Sequence, residues 1–202
     1  MTKIAIIGAG SVEFTRNVLT DLCSYEELHG TIEFALHDID AERLAYAEQA
    51  AQQVVARTGA GDTVHACPDR RDAFDGADYL INEIQVGGYT ATVTDFEIPR
   101  RYGLLQTIAD TIGIGGIMRG LRTIPVMIEM GDEMAALCPE GLLLNYTNPM
   151  AMVPWGIWSG SAWPASRTIG VCHSVRDTHS FLAETVGLPE ERVAFRTAGF
   201  NH

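Results

Sequence analysis

The chain has 202 residues, enough for one full hydrophobic core and the start of a second. Its formal net charge of −12 sets it against phosphate backbones, so nucleic acid is not an expected partner. No apolar run reaches the roughly 20 residues that span a bilayer, and one lysine before a short β-branched run makes a poor signal peptide, so a cytosolic protein is expected.

Lys3 to Ile7 is a β-branched run ended by Gly8-Ala9-Gly10-Ser11, and an amphipathic stretch follows from Val12 to Leu22. Ile32 to Leu36 predicts a buried strand closed by His37-Asp38, and Ala41 to Arg57, rich in Ala, Glu and Gln, predicts a helix. Val64 to Cys67 is a weaker strand, Asp69 to Asp75 a short polar helix or turn, and Tyr79 to Ile84 a third apolar segment before Gly87-Gly88. Residues 94–116 carry Pro99, Gly103, Gly113, Gly115 and Gly116 and predict a loop-rich stretch with one helix. Helical periodicity resumes from Leu121 to Leu137. Leu142 to Tyr146 predicts a strand stopped at Asn148-Pro149, then a helix from Met150 to Trp158 and a loop to Pro164. Thr168 to Val171 predicts a strand delivering Cys172, Val175 to Val186 a helix, and Val193 to Ala198 a last strand delivering His202.

Strands and helices alternate throughout, which predicts an α/β fold, a Rossmann-like doubly wound parallel sheet covered on both faces. The four cysteines (Cys23, Cys67, Cys138, Cys172) show no Cys-x-x-Cys spacing and are expected as reduced thiols, Cys23 and Cys138 as core residues.

Gly8-x-Gly10 between a strand and a helix fits a dinucleotide turn, with Glu13 in place of the third small residue. Asp38 ends the second strand, 28 residues after Gly10, where a carboxylate binds ribose hydroxyls and repels a 2′-phosphate. Gly8, Gly10, Ser11 and Asp38 are therefore the candidate cofactor residues, with NAD favoured over NADP. The alternative is an ordinary βα turn with Asp38 as a helix cap, a role Asp40 fits better.

Cys172, His202 and Asn148 all follow predicted strands, at the edge where open α/β sheets bind ligands. A thiolate and an imidazole can hold a divalent metal with open positions, and an amide can bind sugar or hydroxy-acid oxygens. Packing for Cys172 and helix capping for Asn148 stay open as the bland alternatives. His173 is placed to move protons near neutral pH, while His179 is expected as an exposed helix residue. Arg119 and Arg122 either bind a carboxylate or sugar hydroxyl or are solvated helix charges.

Taken in order, Gly8-Ala9-Gly10-Ser11, Asp38-Ile39-Asp40, Ile98 to Gly103, Asp110 to Gly113, Leu121 to Pro125, Asn145 to Ala151, Gly170 to Ser174 and Gly199-Phe200-Asn201-His202 resemble glycoside hydrolase family 4. The resemblance implies an NAD- and manganese-dependent glycosidase. Such an enzyme oxidises the sugar at C3, removes the C2 proton, eliminates the C1 group, adds water and re-reduces C3. It implies Cys172 and His202 as metal ligands, Asn148 as a substrate contact and His173 as the acid assisting departure. Cys172-His173-Ser174 and Asp110-Thr111 look like the α-galactosidase branch, although Ile114 stands where proline is expected. An α-galactoside is the expected substrate, with an α-glucuronide, α-galacturonide or α-glucoside as alternatives.

Family members are longer, and their tyrosine general base lies beyond the segment matching Gly199 to His202. The resemblance thus implies one lactate/malate dehydrogenase-like NAD domain over residues 1–202, running into a truncated catalytic part from about residue 170. On that reading these residues turn over poorly alone, and the protein is a homo-oligomer. A 2-hydroxy-acid dehydrogenase and a non-catalytic NAD module are the competing readings.

Overall fold

Alternation along the chain becomes a single layered sheet in the computed structural model, which describes residues 1–11, 13–106, 113–172 and 174–198. Strand β1 (Thr2–Ile7) has Ile4 to Ile7 all buried, as expected of a strand covered on both faces. Helix α1 (Phe14–Leu22) leads to β2 (Ile32–His37). Helix α2 (Ala41–Thr58) starts at Asp40, whose carboxylate accepts from the N–H groups of Glu42 and Arg43, and it stops at Gly59 with φ +69°. Then come β3 (Thr63–Ala66), α3 (Arg70–Phe74), β4 (Tyr79–Asn82), α4 (Gly88–Arg101) and α5 (Ile114–Leu137). The described part closes with β5 (Leu142–Asn145), α6 (Met152–Gly160), β6 (Thr168–Gly170) and α7 (Ser174–Val186).

The strand order is β3-β2-β1-β4-β5-β6, and every neighbouring pair is parallel. The chain starts in the middle, winds out to β3, and returns past β1 to β4. This is the doubly wound Rossmann-like order, and its reversal between β1 and β4 opens a crevice at the carboxyl edge.

Two cores flank the sheet. On one face Ile6, Phe34 and Leu36 pack with Leu19 of α1 and Leu44 of α2. On the other, Leu80 and Leu143 pack with Phe74, Met127, Met130, Met134, Ile157 and Trp163. Each fully buried side chain of this size stabilises the fold by roughly 1.5–3 kcal/mol. Cys23 and Cys138 sit in these cores as expected, and burial pushes the Cys138 thiol up to about 11.

Three expectations are corrected. Residues 94–106 and 113–116 are less loop-like than their prolines and glycines suggest. Helix α4 runs through Pro99, and α5 begins at Ile114, seven residues before the predicted Leu121. The buried carboxylate of Asp95 on α4 pairs with Arg122 on α5 at 2.6 Å and ties the two helices together. The glycines of α5 and α6 serve close packing: a Cβ on Gly156 would sit 2.6 Å from Ile124, and one on Gly160 would collide with Ile128.

Residues 193–198 form no strand. The Val193 carbonyl instead accepts a hydrogen bond from His179 Nε2 at 2.8 Å, and the Phe195 ring lies 4.5 Å from the His179 imidazole. The segment is thus fastened to α7 rather than to the sheet. His179 itself, expected in solvent, is largely covered, with 19% of its side chain exposed.

Candidate functional site

All candidate site residues within the described part lie at the carboxyl edge of the sheet. Gly8 leaves β1 with φ +86°, and a Cβ there would meet Ile84 N at 2.9 Å and the Glu83 carbonyl carbon at 3.0 Å. Only glycine lets the turn come this close to the end of β4. The N–H groups of Gly8 and Ala9 both donate to the His37 carbonyl, at 2.9 and 3.0 Å, which ties the turn to the end of β2. Asp38 lies beside it. Its Oδ2 accepts from Gly10 N and its Oδ1 from Asp40 N, both at 2.9 Å. Asp38 therefore holds the glycine turn, a role the sequence did not reveal, while Asp40 does the helix capping. Each Asp38 oxygen keeps a second lone pair for a ligand hydroxyl. Ala9, Gly10 and Ser11 also line a cavity of about 340 Å³ that extends to Arg43 and Tyr46.

Glu83 follows β4 directly opposite Gly8, at the point where the strand order reverses. Thr15 Oγ1 donates to its Oε2 at 3.1 Å, while Oε1 is enclosed without a hydrogen-bond partner among the described residues. Burial raises the carboxyl to about 7, against the opposing pull of the Thr15 bond. The Tyr146 hydroxyl is also pushed up, by burial first and then by the nearby Glu83 and Asp21 charges. A single acidic residue closing an apolar run is the only trace of this group in the sequence.

Beneath the edge lies a fully enclosed polar cluster. Asn82 Nδ2 donates to Asn145 Oδ1 at 2.8 Å and to Thr147 Oγ1 at 3.0 Å. Asn145 Nδ2 donates to the Thr147 carbonyl at 2.9 Å, and Thr147 Oγ1 donates to the Ile84 carbonyl at 2.9 Å. Asn82 and Asn145 are paired in register across β4 and β5 and have no exposed surface. The cluster therefore fixes residues 145–147, immediately before Asn148.

Asn148 is half-buried, and its side chain makes no hydrogen bond among the described residues. It does not cap α6, whose N-cap position is Ala151 without a side-chain bond. Cys172 continues β6, because Val171 N donates to the Asn145 carbonyl at 2.9 Å after the Asn145–Gly170 register pair. The thiol is half-buried and unbridged. Asn148 and Cys172 thus follow adjacent parallel strands. Among the described residues no three His, Cys, Asp or Glu side chains gather as a metal cluster. His173, His202 and Asp110-Thr111 lie outside the described residues.

Arg122, one of two candidate ligand cations, is committed within the protein. It pairs through both terminal nitrogens with Asp95 and donates Nε to the Val86 carbonyl at 2.9 Å. Arg119, one turn earlier on α5, is half-buried without a hydrogen bond or ion pair among the described residues. Burial, and then the Arg122 charge, hold its pKa below the usual arginine value.

The family described as family 4 glycosyl hydrolase matches residues 3–188 of this chain. The chain belongs to that family. An alpha-galactosidase of Bacillus subtilis (strain 168) is 46% identical over 203 residues, covering 100% of this chain and 46% of that protein. This family-4 chain therefore spans less than half the length of that relative. A 6-phospho-beta glucosidase of Thermotoga maritima, solved with manganese, NAD+ and glucose-6-phosphate, is 25% identical with a TM-score of 0.83 over 96% of this chain and 46% of that one. A lactate dehydrogenase from Cryptosporidium parvum, 16% identical, superposes with a TM-score of 0.69 over 96% of this chain and 52% of that one. That likeness shows the shared dehydrogenase-type fold.

The residues present fit the groups such a family implies. The glycine turn closes on the end of β4 with no room for a side chain at Gly8, as a pyrophosphate cradle needs. Two strands further along the same edge, at the end of β6, the unbridged Cys172 thiol is one donor a divalent metal can use, and His202 lies outside the described residues.

Proposed function

We propose that this chain carries the cofactor half of an NAD- and manganese-dependent glycosidase acting on α-galactosides. The observation behind it is the placement of Asn148 and Cys172 on adjacent strand ends, at the same edge as the Gly8–Ser11 turn and Asp38. When bound, NAD supplies a reversible hydride acceptor for a sugar carbinol, and manganese supplies a Lewis acid for the neighbouring oxygens. Asp38 orients the adenosine ribose through its free lone pairs. Gly8, Gly10 and Ser11 present backbone to the pyrophosphate. Asn148 hydrogen-bonds the sugar from a turn already fixed by Thr147 and Asn145. Cys172 and His202 hold the metal, and His173 delivers a proton to the departing group. Residues from about 170 onward open the catalytic part of the protein, which acts as a homo-oligomer in a reducing cytosol where Cys172 stays a thiol. Among the described residues no helix is long and apolar enough to cross a membrane.

The test is a panel of aryl glycosides given to the full-length protein with NAD, manganese and a thiol reductant. Hydrolysis of the aryl α-galactoside without net NADH formation is expected, because the hydride returns to the sugar in each cycle. Steady NADH production from a 2-hydroxy acid, with no glycoside cleaved, defeats the reading in favour of a dehydrogenase. A Cys172→Ser variant is expected to weaken manganese binding at least about tenfold while NAD affinity is kept. Titration of manganese by calorimetry checks this directly, and unchanged metal affinity removes Cys172 from the ligand set.

A further inference from the structure

We infer that Arg119 binds the sugar of the glycoside, donating from its guanidinium to an acceptor oxygen on that ring. The inference rests on the glycosidase reading and adds a specificity residue to it.

The placement follows from how α5 runs. Its last turn lies at the amino edge of the sheet, where the Leu137 carbonyl accepts from Gly76 N, shortly before β4. Near its start a Cβ on Gly120 would lie 3.8 Å from Pro149 and 3.1 Å from Met152. The helix therefore descends from the carboxyl edge, and its first turns stand beside the Asn148–Pro149 turn. Arg119 and Arg122 are three residues apart and so share one side of the helix, with Arg119 nearer the edge.

The charges around Arg119 leave it in need of an acceptor. Among the described residues Asp95 is the acidic neighbour that acts on it, and both oxygens of that carboxylate are already taken by Arg122. Arg122 repels it. A guanidinium has five N–H donors, and withdrawing it partly from water without acceptors is unfavourable. Among the described residues none accepts from it. An oxygen-bearing ligand at this edge relieves both the desolvation and the repulsion. Position selects which ligand. Gly120, the next residue along, packs on the turn after β5, and Arg122 on the side shared with Arg119 reaches Val86 after β4, whereas the glycine turn leaves β1 on the far side of β4. The sugar held by Asn148 is thus the acceptor, not the pyrophosphate. The planar fork also suits a carboxylate, so a uronic acid ring gains more from this residue than a neutral hexose does.

The test uses the full-length protein and the variants Arg119→Met and Arg119→Lys. Calorimetry measures NAD affinity alone, then D-galactose and D-galacturonate binding with NAD and manganese present, and aryl α-galactoside kinetics give KM and kcat. Arg119→Met is expected to weaken sugar binding and raise KM by about tenfold or more, with NAD affinity held within about twofold, which also shows that the variant is folded. Arg119→Lys is expected to recover part of the galactose affinity but less of the galacturonate affinity. Unchanged sugar affinity in Arg119→Met overturns the inference, and so does a parallel loss of NAD affinity, which reassigns the residue to the cofactor. If the unmodified protein binds neither sugar, the glycosidase reading itself has failed and the inference falls with it.

Discussion

Glu83 faces the crevice with one oxygen bonded to Thr15 and the other enclosed without a partner among the described residues. Its carboxyl titrates near 7 in the folded chain, against about 4.3 in an unfolded one. Between those values the folded state binds the extra proton. The stability it supports is fully present below the unfolded value and is lost as pH rises through about 7. Glu83→Gln keeps the shape and can still accept from Thr15, but it cannot ionise. The variant is therefore expected to be more stable than the parent at pH 8 and to show a flatter dependence on pH from 5 to 8. Urea midpoints measured at both ends of that range check this, and an equal loss in both proteins refutes it. Asp38 presents a different case. Because it holds Gly10 N and is proposed to hold the cofactor ribose, Asp38→Ala is expected to lower NAD affinity and also loosen the turn, costing roughly 1 kcal/mol of stability from the lost backbone bond.

Helices α5 and α6 meet through missing side chains. Ile124 fills the space over Gly156, and Ile128 the space over Gly160. Gly156→Val is expected to force these helices apart and destabilise the chain by about 1–3 kcal/mol, read as a lower thermal midpoint. Whether such elements can be read in a sequence depends on how local their causes are. The β1–turn–α1 unit and the start of α2 were legible, because a β-branched run, two glycines and the Asp40 cap act within a few residues. Helix α4 was not, since the Asp95–Arg122 pair joins positions 27 residues apart. Val193 and Phe195 carry an alternation that suits a strand, yet their partner is His179 on the preceding helix. Asn82 and Glu83 look like ordinary strand endings, and only the sheet shows one enclosed with Asn145 and the other against Gly8. Asn148 and Cys172 could be named from the sequence because strand ends are where such sheets place ligands, but their adjacency required the β5–β6 register.

Across the whole molecule, packing is uneven. Strands β1, β2 and β4 lie inside the sheet with most of their side chains enclosed, whereas α7 buries only Ala183 and leaves Phe181 64% exposed. Hydrogen exchange on the 202-residue chain is expected to show slow amides in β1 and β2 and fast ones in α7, and equal protection of both regions speaks against it. The enclosed amides beneath the sheet's edge work in the opposite sense. The bonds that Asn145 and Thr147 make to each other, to Asn82 and to the Ile84 carbonyl are formed before anything binds, so the loop that follows β5 arrives at an encounter with its shape already decided. Capture there has little ordering entropy to lose, and its speed is set by diffusion into the cleft, not by a slow folding of the loop around its guest.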